Sequence, residues 1–351
     1  MVVRMALRQV AIVPLILSSC VLGAAFNANP AKFLIVSAPR EGKISYMRVQ
    51  RGGSIKRVGT PTDSEMKVLI GSGLVHPQGL AVEQVRQQLL VADPDAQKIW
   101  SYPLISSGGT LSVGSPTVLA ENTEARWVAV DGSGNIFFSD EPRNQILKIT
   151  REQALLGNST PAVVYDGTAL TQVSSPGGLA VDSFHAFWVN KQSGTQVGSV
   201  VRGPAGQTGR ALLQVQDQQQ NAQLQRIVPL SKNSDKSYGL CLAMNNVYYT
   251  QPESIVFGIK KMGSEAVTVT NRLKNPRGCA WDGDGTVYVA DRGAGAVYSF
   301  AGNMRELSAV QISKTVDFED AFGVAVFSGA RMVGLSSVAA LVVALAAVLL
   351  T

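Results

Sequence analysis

The chain has 351 residues, 31 basic against 25 acidic, and is 46% hydrophobic but only 16% charged. Arg4, Arg8 and Arg331 fall in segments that read as targeting signals, which leaves 28 basic residues against 25 acidic. So small an excess excludes a charge-driven nucleic-acid binder, and no nucleic-acid partner is expected.

In chain order, Arg4 and Arg8 precede an apolar run from Val10 to Leu17 and then small residues through Ala25. This order predicts a signal peptide over 1–25, cleaved before Phe26. Leu17-Ser18-Ser19-Cys20 also has the form of a bacterial lipobox, which would place a lipid on Cys20. Beyond the signal, only Cys241 and Cys279 remain, so a hydrophobic core rather than a disulfide framework must hold the fold. Asn158-Ser159-Thr160 is a sequon, usable for glycosylation at Asn158 in a eukaryotic secretory pathway.

The far end reads Ser328, Gly329 and Ala330, a short spacer, and an unbroken Val/Ala/Leu run from Val338 to Leu350. This pattern predicts a glycolipid (GPI) anchor signal over 329–351. A single spanning helix is the alternative, although the run is short for a hydrocarbon core of about 30 Å. Either outcome leaves 26–328 outside the cytosol, as a membrane-anchored domain at the cell surface.

Between these ends the chain repeats. Residues 77–102 (PQGLAVEQVRQQLLVADPDAQKIWSY), 125–149, 176–201, 237–259 and 276–300 (PRGCAWDGDGTVYVADRGAGAVYSF) share one pattern. A short apolar strand is followed by a turn, a strand of aromatic and β-branched residues, a polar loop and a third strand. Weaker fourth strands are predicted at Met66–Ile70, Pro116–Ala120, Ala162–Tyr165, Ala211–Val215, Ala266–Thr270 and Ser308–Ile312. Residues 33–47 match the later part of the repeat but have no first strand, and Phe322–Phe327 supplies it from the C-terminal side. The positions equivalent to Gly79 are Trp127, Gly178, Gly239, Gly278 and Gly323, spaced by 48, 51, 61, 39 and 45 residues. An all-β, six-bladed β-propeller of four-stranded antiparallel blades over 26–328 is expected, closed by that C-terminal strand. Helical periodicity is absent outside the signal and the tail.

Phrases such as VLIGSGLVHPQGLAV at 68–82, LLVAD at 89–93 and VYVAD at 287–291 resemble NHL repeats and the YWTD blades of lipoprotein-receptor ectodomains. The resemblance spans 33–327; it implies a propeller and leaves function open, because such folds serve both binders and enzymes. Blade 5 departs from the pattern, with Ala243 and Gln251 at the usual acidic positions.

The loops that enter the first strand and those between second and third strands share one face, the mouth of the central channel. His76, Gln78, Arg126, Tyr238 and Arg277 belong to the first set, and Asp93, Asp140, Asn190 and Asp291 to the second, with Lys191 beside them. Together they predict a polar pocket whose arginines favour carboxylate, phosphate or acidic-peptide groups. Asp93, Asp140 and Asp291 fit equally a structural role, closing turns by hydrogen bonds. Asp131–Asn135 and Asp282–Gly285 read as hairpin turns rather than calcium loops, lacking the closing acid. His185 reads as a solvated turn residue, and Trp127, Trp188 and Trp281 as blade packing. Cys241 and Cys279 sit one register position apart on adjacent inner strands, so alternation favours buried free thiols over a bridge.

Two functions follow. One is an extracellular binding module offering its polar face to a protein or glycan partner, with no cofactor. The other is a calcium-dependent propeller enzyme of the gluconolactonase or lyase type, whose ion would need several acidic or amide side chains converging in the channel. With only His76 and His185, a histidine-rich zinc site is excluded.

Overall fold

Every repeat forms an antiparallel four-stranded blade, and six blades close a ring. The computed structural model describes residues 31–50, 61, 63–157, 160–191, 200–206, 226–231, 236–252 and 254–329. The expected signal peptide, the segment beyond 329, Asn158, the Gln-rich stretch from Gln214 to Gln225 and Glu253 lie outside the described residues.

From the channel outward, blade 1 consists of Val324–Ser328, Lys32–Ala38, Lys43–Val49 and Lys67–Ile70. Its inner strand comes from the C-terminal side and pairs antiparallel with Lys32–Ala38, which closes the ring as expected. Blade 2 consists of Leu80–Glu83, Gln88–Asp93, Lys98–Ser107 and Thr117–Glu121. Its third strand overshoots and folds back on Thr110–Val113, a hairpin absent from the repeat pattern. Blade 3 is Ala125–Val130, Ile136–Asp140, Gln145–Ile149 and Ala162–Asp166. Blade 4 is Pro176–Val181, His185–Asn190, Val200–Pro204 and Val228–Ser231. Blade 5 is Leu240–Ala243, Asn246–Thr250, Val256–Lys260 and Val267–Thr270. Blade 6 is Pro276–Trp281, Thr286–Asp291, Ala296–Ala301 and Ser313–Asp317.

Two outer strands differ from expectation. Blade 4 takes its outer strand from Val228–Ser231, beyond the Gln-rich insertion, while Ala211–Val215 lies outside the described residues. Blade 6 uses Ser313–Asp317 rather than Ser308–Ile312, because its third strand fixes the register through Val297 opposite Val316. A six-residue helix, Arg151–Leu156, also escapes the strand pattern; Thr150 and Gln153 form a reciprocal capping box at its start.

The core is distributed around the ring rather than gathered at one centre. Each interface between neighbouring blades holds its own apolar cluster, from Phe33, Tyr46, Leu89 and Tyr102 between blades 1 and 2 to Tyr248, Val289 and Phe300 between blades 5 and 6. Second strands therefore bury side chains on both faces, which is why FLIV, LLVA, IFFS and VYVA read as continuous apolar runs.

At the hub the inner strands nearly touch, which explains the repeated glycine. A Cβ on Gly239 would lie 2.0 Å from Arg277 O, and one on Gly323 2.0 Å from Gln78 O. The bonds across this hub alternate between two kinds. Out of blades 2, 4 and 6 a backbone amide crosses: Gly79 N to Arg126 O (3.0 Å), Gly178 N to Tyr238 O (2.6 Å) and Gly278 N to Phe322 O (2.8 Å). Out of blades 1, 3 and 5 a hydroxyl crosses instead: Ser37 Oγ to Gln78 O (2.7 Å), Ser139 Oγ to Gly177 O (2.9 Å) and Thr250 Oγ1 to Arg277 O (2.7 Å). The equivalent residues in the amide-crossing blades are Ala92, Val189 and Ala290. The hub is thus a sixfold ring with threefold chemistry, and leaving one of these buried groups without its partner costs about 1–3 kcal/mol.

Cys241 and Cys279 form a disulfide between blades 5 and 6, with Cα atoms 5.6 Å apart. The free-thiol expectation fails because successive blades meet by opposite faces. Cys241, two residues past hub Gly239, faces blade 6, and Cys279, one residue past Gly278, faces back toward blade 5. The one-residue offset that seemed to part them is what brings them together.

Candidate functional site

Four predicted mouth residues are committed to holding loops. Asp93, fully buried, accepts the amides of Val75 (2.9 Å) and His76 (2.8 Å). Asp291 accepts those of Lys274 and Asn275, each at 2.7 Å. Asp140 accepts from the Thr123 hydroxyl (2.9 Å) and the Arg143 amide (3.1 Å). Asn190 accepts the Ser174 amide (3.0 Å) and donates to Gln172 O (2.9 Å). Each pins the loop leading into its own blade's inner strand, which is the turn-closing role left open for the three aspartates.

The side chains above these clamps make a site. Arg126, Glu141, Ser175, Lys191, Lys236 and Tyr238 line an open cavity of about 500 Å³ over blades 3 to 5. Arg277 reaches it from blade 6 by laying its guanidinium 4.0 Å over the Tyr238 ring, and Lys191 Nζ lies 5.9 Å from the same ring. Glu141 is the acid facing this cluster: its Oε2 lies 2.5 Å from Lys191 Nζ and 2.6 Å from Arg126 Nε. The contact with Arg126 lacks hydrogen-bond alignment, so the buried Arg126 Nε is held by charge without an aligned hydrogen bond. Burial pushes the Lys191 ammonium below its usual pKa; Glu141 opposes this, while Arg126 and Arg277 add to it. Burial likewise lowers Arg277, with Arg292 contributing. An anion arriving here relieves repulsion among desolvated cations.

The floor under the site is aromatic. Trp127 of blade 3 stacks on Phe322 of blade 1 across the channel, centroids 5.6 Å apart, and Arg292 sits 5.7 Å over Phe322. Below that pair the channel wall comes from Leu80, Val82, Ala129, Val181, Leu242, Val326 and their neighbours, with Gln84 as its polar side chain. Among the described residues no three His, Cys, Asp or Glu side chains converge anywhere.

Of the other predicted residues, Gln78 is buried at the hub, where its carbonyl accepts the Ser37 hydroxyl. His76 is half-buried at the rim, its Nδ1 3.9 Å from Asp95 Oδ2. His185 is not solvated: it begins a second strand at 5% exposure, packed 5.9 Å from Phe187, because Asp182 folds the hairpin tightly by accepting the Phe184 and His185 amides. Its pKa is lowered by burial first and then by Arg202, against an opposing pull from Asp182, which disfavours the protonated imidazole. Both predicted hairpins form. Asp131 Oδ1 accepts the Ser133 and Asn135 amides, and Asp282 Oδ1 accepts those of Asp284, Gly285 and Thr286. Sequence reasoning missed Glu141 and Lys236. The available signal was position, since Glu141, Lys191 and Arg292 each directly follow a loop clamp and are thereby turned to the mouth.

No family profile matches the chain, and no curated protein matches it. Among solved structures, a chain from a nidogen–laminin complex matches with a TM-score of 0.62 at 15% identity, over 85% of this chain and all (100%) of that one. A streptogramin B lyase aligns at 0.47 and 13% identity over 85% of this chain and 88% of the lyase. A virginiamycin B lyase from Staphylococcus aureus aligns at 0.47 and 12%, over 85% and 89%. The likeness is one of fold. The chain is a six-bladed β-propeller, and at such identity its activity has to be argued from its own mouth.

Proposed function

We propose that the chain is an extracellular, membrane-anchored binding module whose propeller mouth receives an acidic group of a protein or glycan partner. The observation that carries this reading is the cation cluster of Arg126, Lys191, Lys236 and Arg277 around Tyr238, faced by Glu141. Arg126, Lys191, Tyr238 and Arg277 make the contacts, while Asp93, Asp140, Asn190 and Asp291 hold the loops that present them. A signal peptide over 1–25, a GPI signal over 329–351 and glycosylation at Asn158 belong to the same reading. The Cys241–Cys279 bridge supports an oxidising compartment. Among the described residues no helix is long and apolar enough to cross a membrane, so attachment rests on the segment beyond 329.

The test titrates the secreted domain with two acidic probes, a polyglutamate peptide and heparin. At least one is expected to bind with an affinity that falls as salt rises. The double substitution Arg126→Gln and Arg277→Gln is expected to weaken it about 100-fold at unchanged melting temperature. Absence of binding to both probes, or binding indifferent to the two substitutions, would refute the reading.

A further inference from the structure

The face opposite the mouth carries a different surface. There the first-to-second-strand hairpins and the third-to-outer-strand turns emerge, and six of the ten large exposed hydrophobic side chains among the described residues stand on them. They are Val85 (82% exposed) on blade 2, Leu155 and Leu156 (61% and 81%) on the helix between the third and outer strands of blade 3, Phe184 (68%) on blade 4, and Met244 and Met262 (61% and 56%) on blade 5. The charges beneath them are consumed locally. Lys261 Nζ bonds Asp182 at 3.0 Å, Arg86 Nε bonds Glu83 at 3.0 Å, and Arg202 donates to Lys261 O and Met262 Sδ. Apolar tips thus project from this face among exposed charges such as Arg151, Glu152 and Glu265.

We infer that this face rests on a lipid surface, with Phe184, Met244 and Met262 as its principal contacts. The inference rests on the anchored reading above, and two observations single out lipid. First, the tips are spread over the turns of four successive blades, a rim suited to a broad flat surface. Second, the inner strand of blade 1 runs toward this face and delivers Ser328 and Gly329 to it. In the anchored reading the signal over 329–351 is exchanged for a glycolipid near this point, so the attachment itself leaves the propeller from this face. A glycolipid attached there and seated in a bilayer holds this face toward the headgroups, where apolar tips bind by burial, and leaves the cationic mouth pointing away.

The ring closes within residues 32–328, so the propeller without its tail keeps the whole fold. That protein, residues 31–329, is tethered through a C-terminal histidine tag to phosphatidylcholine vesicles bearing a nickel-chelating lipid and a nitroxide headgroup quencher. A polarity-sensitive dye is placed on Phe184→Cys or, for the opposite face, on Arg143→Cys. The dye at 184 is expected to shift to the blue and be quenched, and the dye at 143 to do neither. In the untethered protein, Phe184→Ser with Met262→Ser is expected to reduce vesicle co-sedimentation at least about tenfold. Equal, unquenched dyes on both faces would overturn the inference, as would a blue shift at 184 that needs no vesicles, which would signify a protein partner or self-association. The anchored reading fails separately, if the full chain expressed in cells partitions away from membranes.

Discussion

Lys32→Met is expected to destabilise the propeller by about 3–5 kcal/mol, the cost of stranding a buried charge. Lys32 lies at 2% exposure on the second strand of blade 1. Its ammonium reaches into the hairpin of blade 6, 2.7 Å from Asp284 Oδ2, 3.1 Å from Asp282 Oδ2 and 3.0 Å from Asp282 O. The contact crosses the seam where the ring is closed, so its loss unlatches blade 6 from blade 1. Denaturant unfolding of the variant should show a lowered midpoint, and adding Asp284→Asn should recover part of the loss. The deficit should also depend on pH. Burial and the neighbouring Asp282 already hold the Asp284 carboxyl above its usual pKa, with Lys32 opposing them. Without Lys32 that pKa rises further, so the folded variant binds the proton more tightly than the unfolded chain. Its stability is then greatest when Asp284 is protonated and is lost as pH rises through the raised pKa. The deficit at neutral pH should exceed that in mild acid; an equal deficit at both would show that Lys32 acts by packing alone.

Breaking the Cys241–Cys279 bridge should have a comparable effect. The bridge spans 38 residues and staples the inner strands of blades 5 and 6 at the hub. Chain-entropy reasoning assigns a loop of this size about 4 kcal/mol. Cys241→Ser with Cys279→Ser should lower the melting temperature by roughly 6 °C for a domain of this size. Reduction of the unsubstituted protein should reproduce the shift, and an unchanged melting curve under reduction would show that the bridge bears no load.

Most of the architecture was legible because a propeller repeats its instructions. The missing first strand before Phe33 and its counterpart at Phe322–Phe327 announced the closure, and hub glycines marked five of the six blades, with Trp127 at that position in blade 3. What escaped depended on the neighbouring blade. The facing of Cys241 and Cys279 follows from how two sheets meet, which alternation within one strand does not report. The hydroxyls of Ser37, Ser139 and Thr250 cross between blades, so their role emerges only once the ring is assembled. At the mouth, Arg126, Tyr238 and Arg277 were visible as loop residues, but Glu141 was hidden behind the more conspicuous Asp140. His185 was misread because its hairpin is tight enough to bury the residue that follows it.

On this reading the mouth is an anion receptor held partly closed by its own acid. Titration of Glu141→Gln with the acidic probe at fixed ionic strength tests this most directly. Neutralising Glu141 frees Arg126 and Lys191 for the ligand, so binding should tighten by about tenfold. Binding that is unchanged or weaker in this variant would contradict the account, because Glu141 would then be outside the site or part of what the ligand needs.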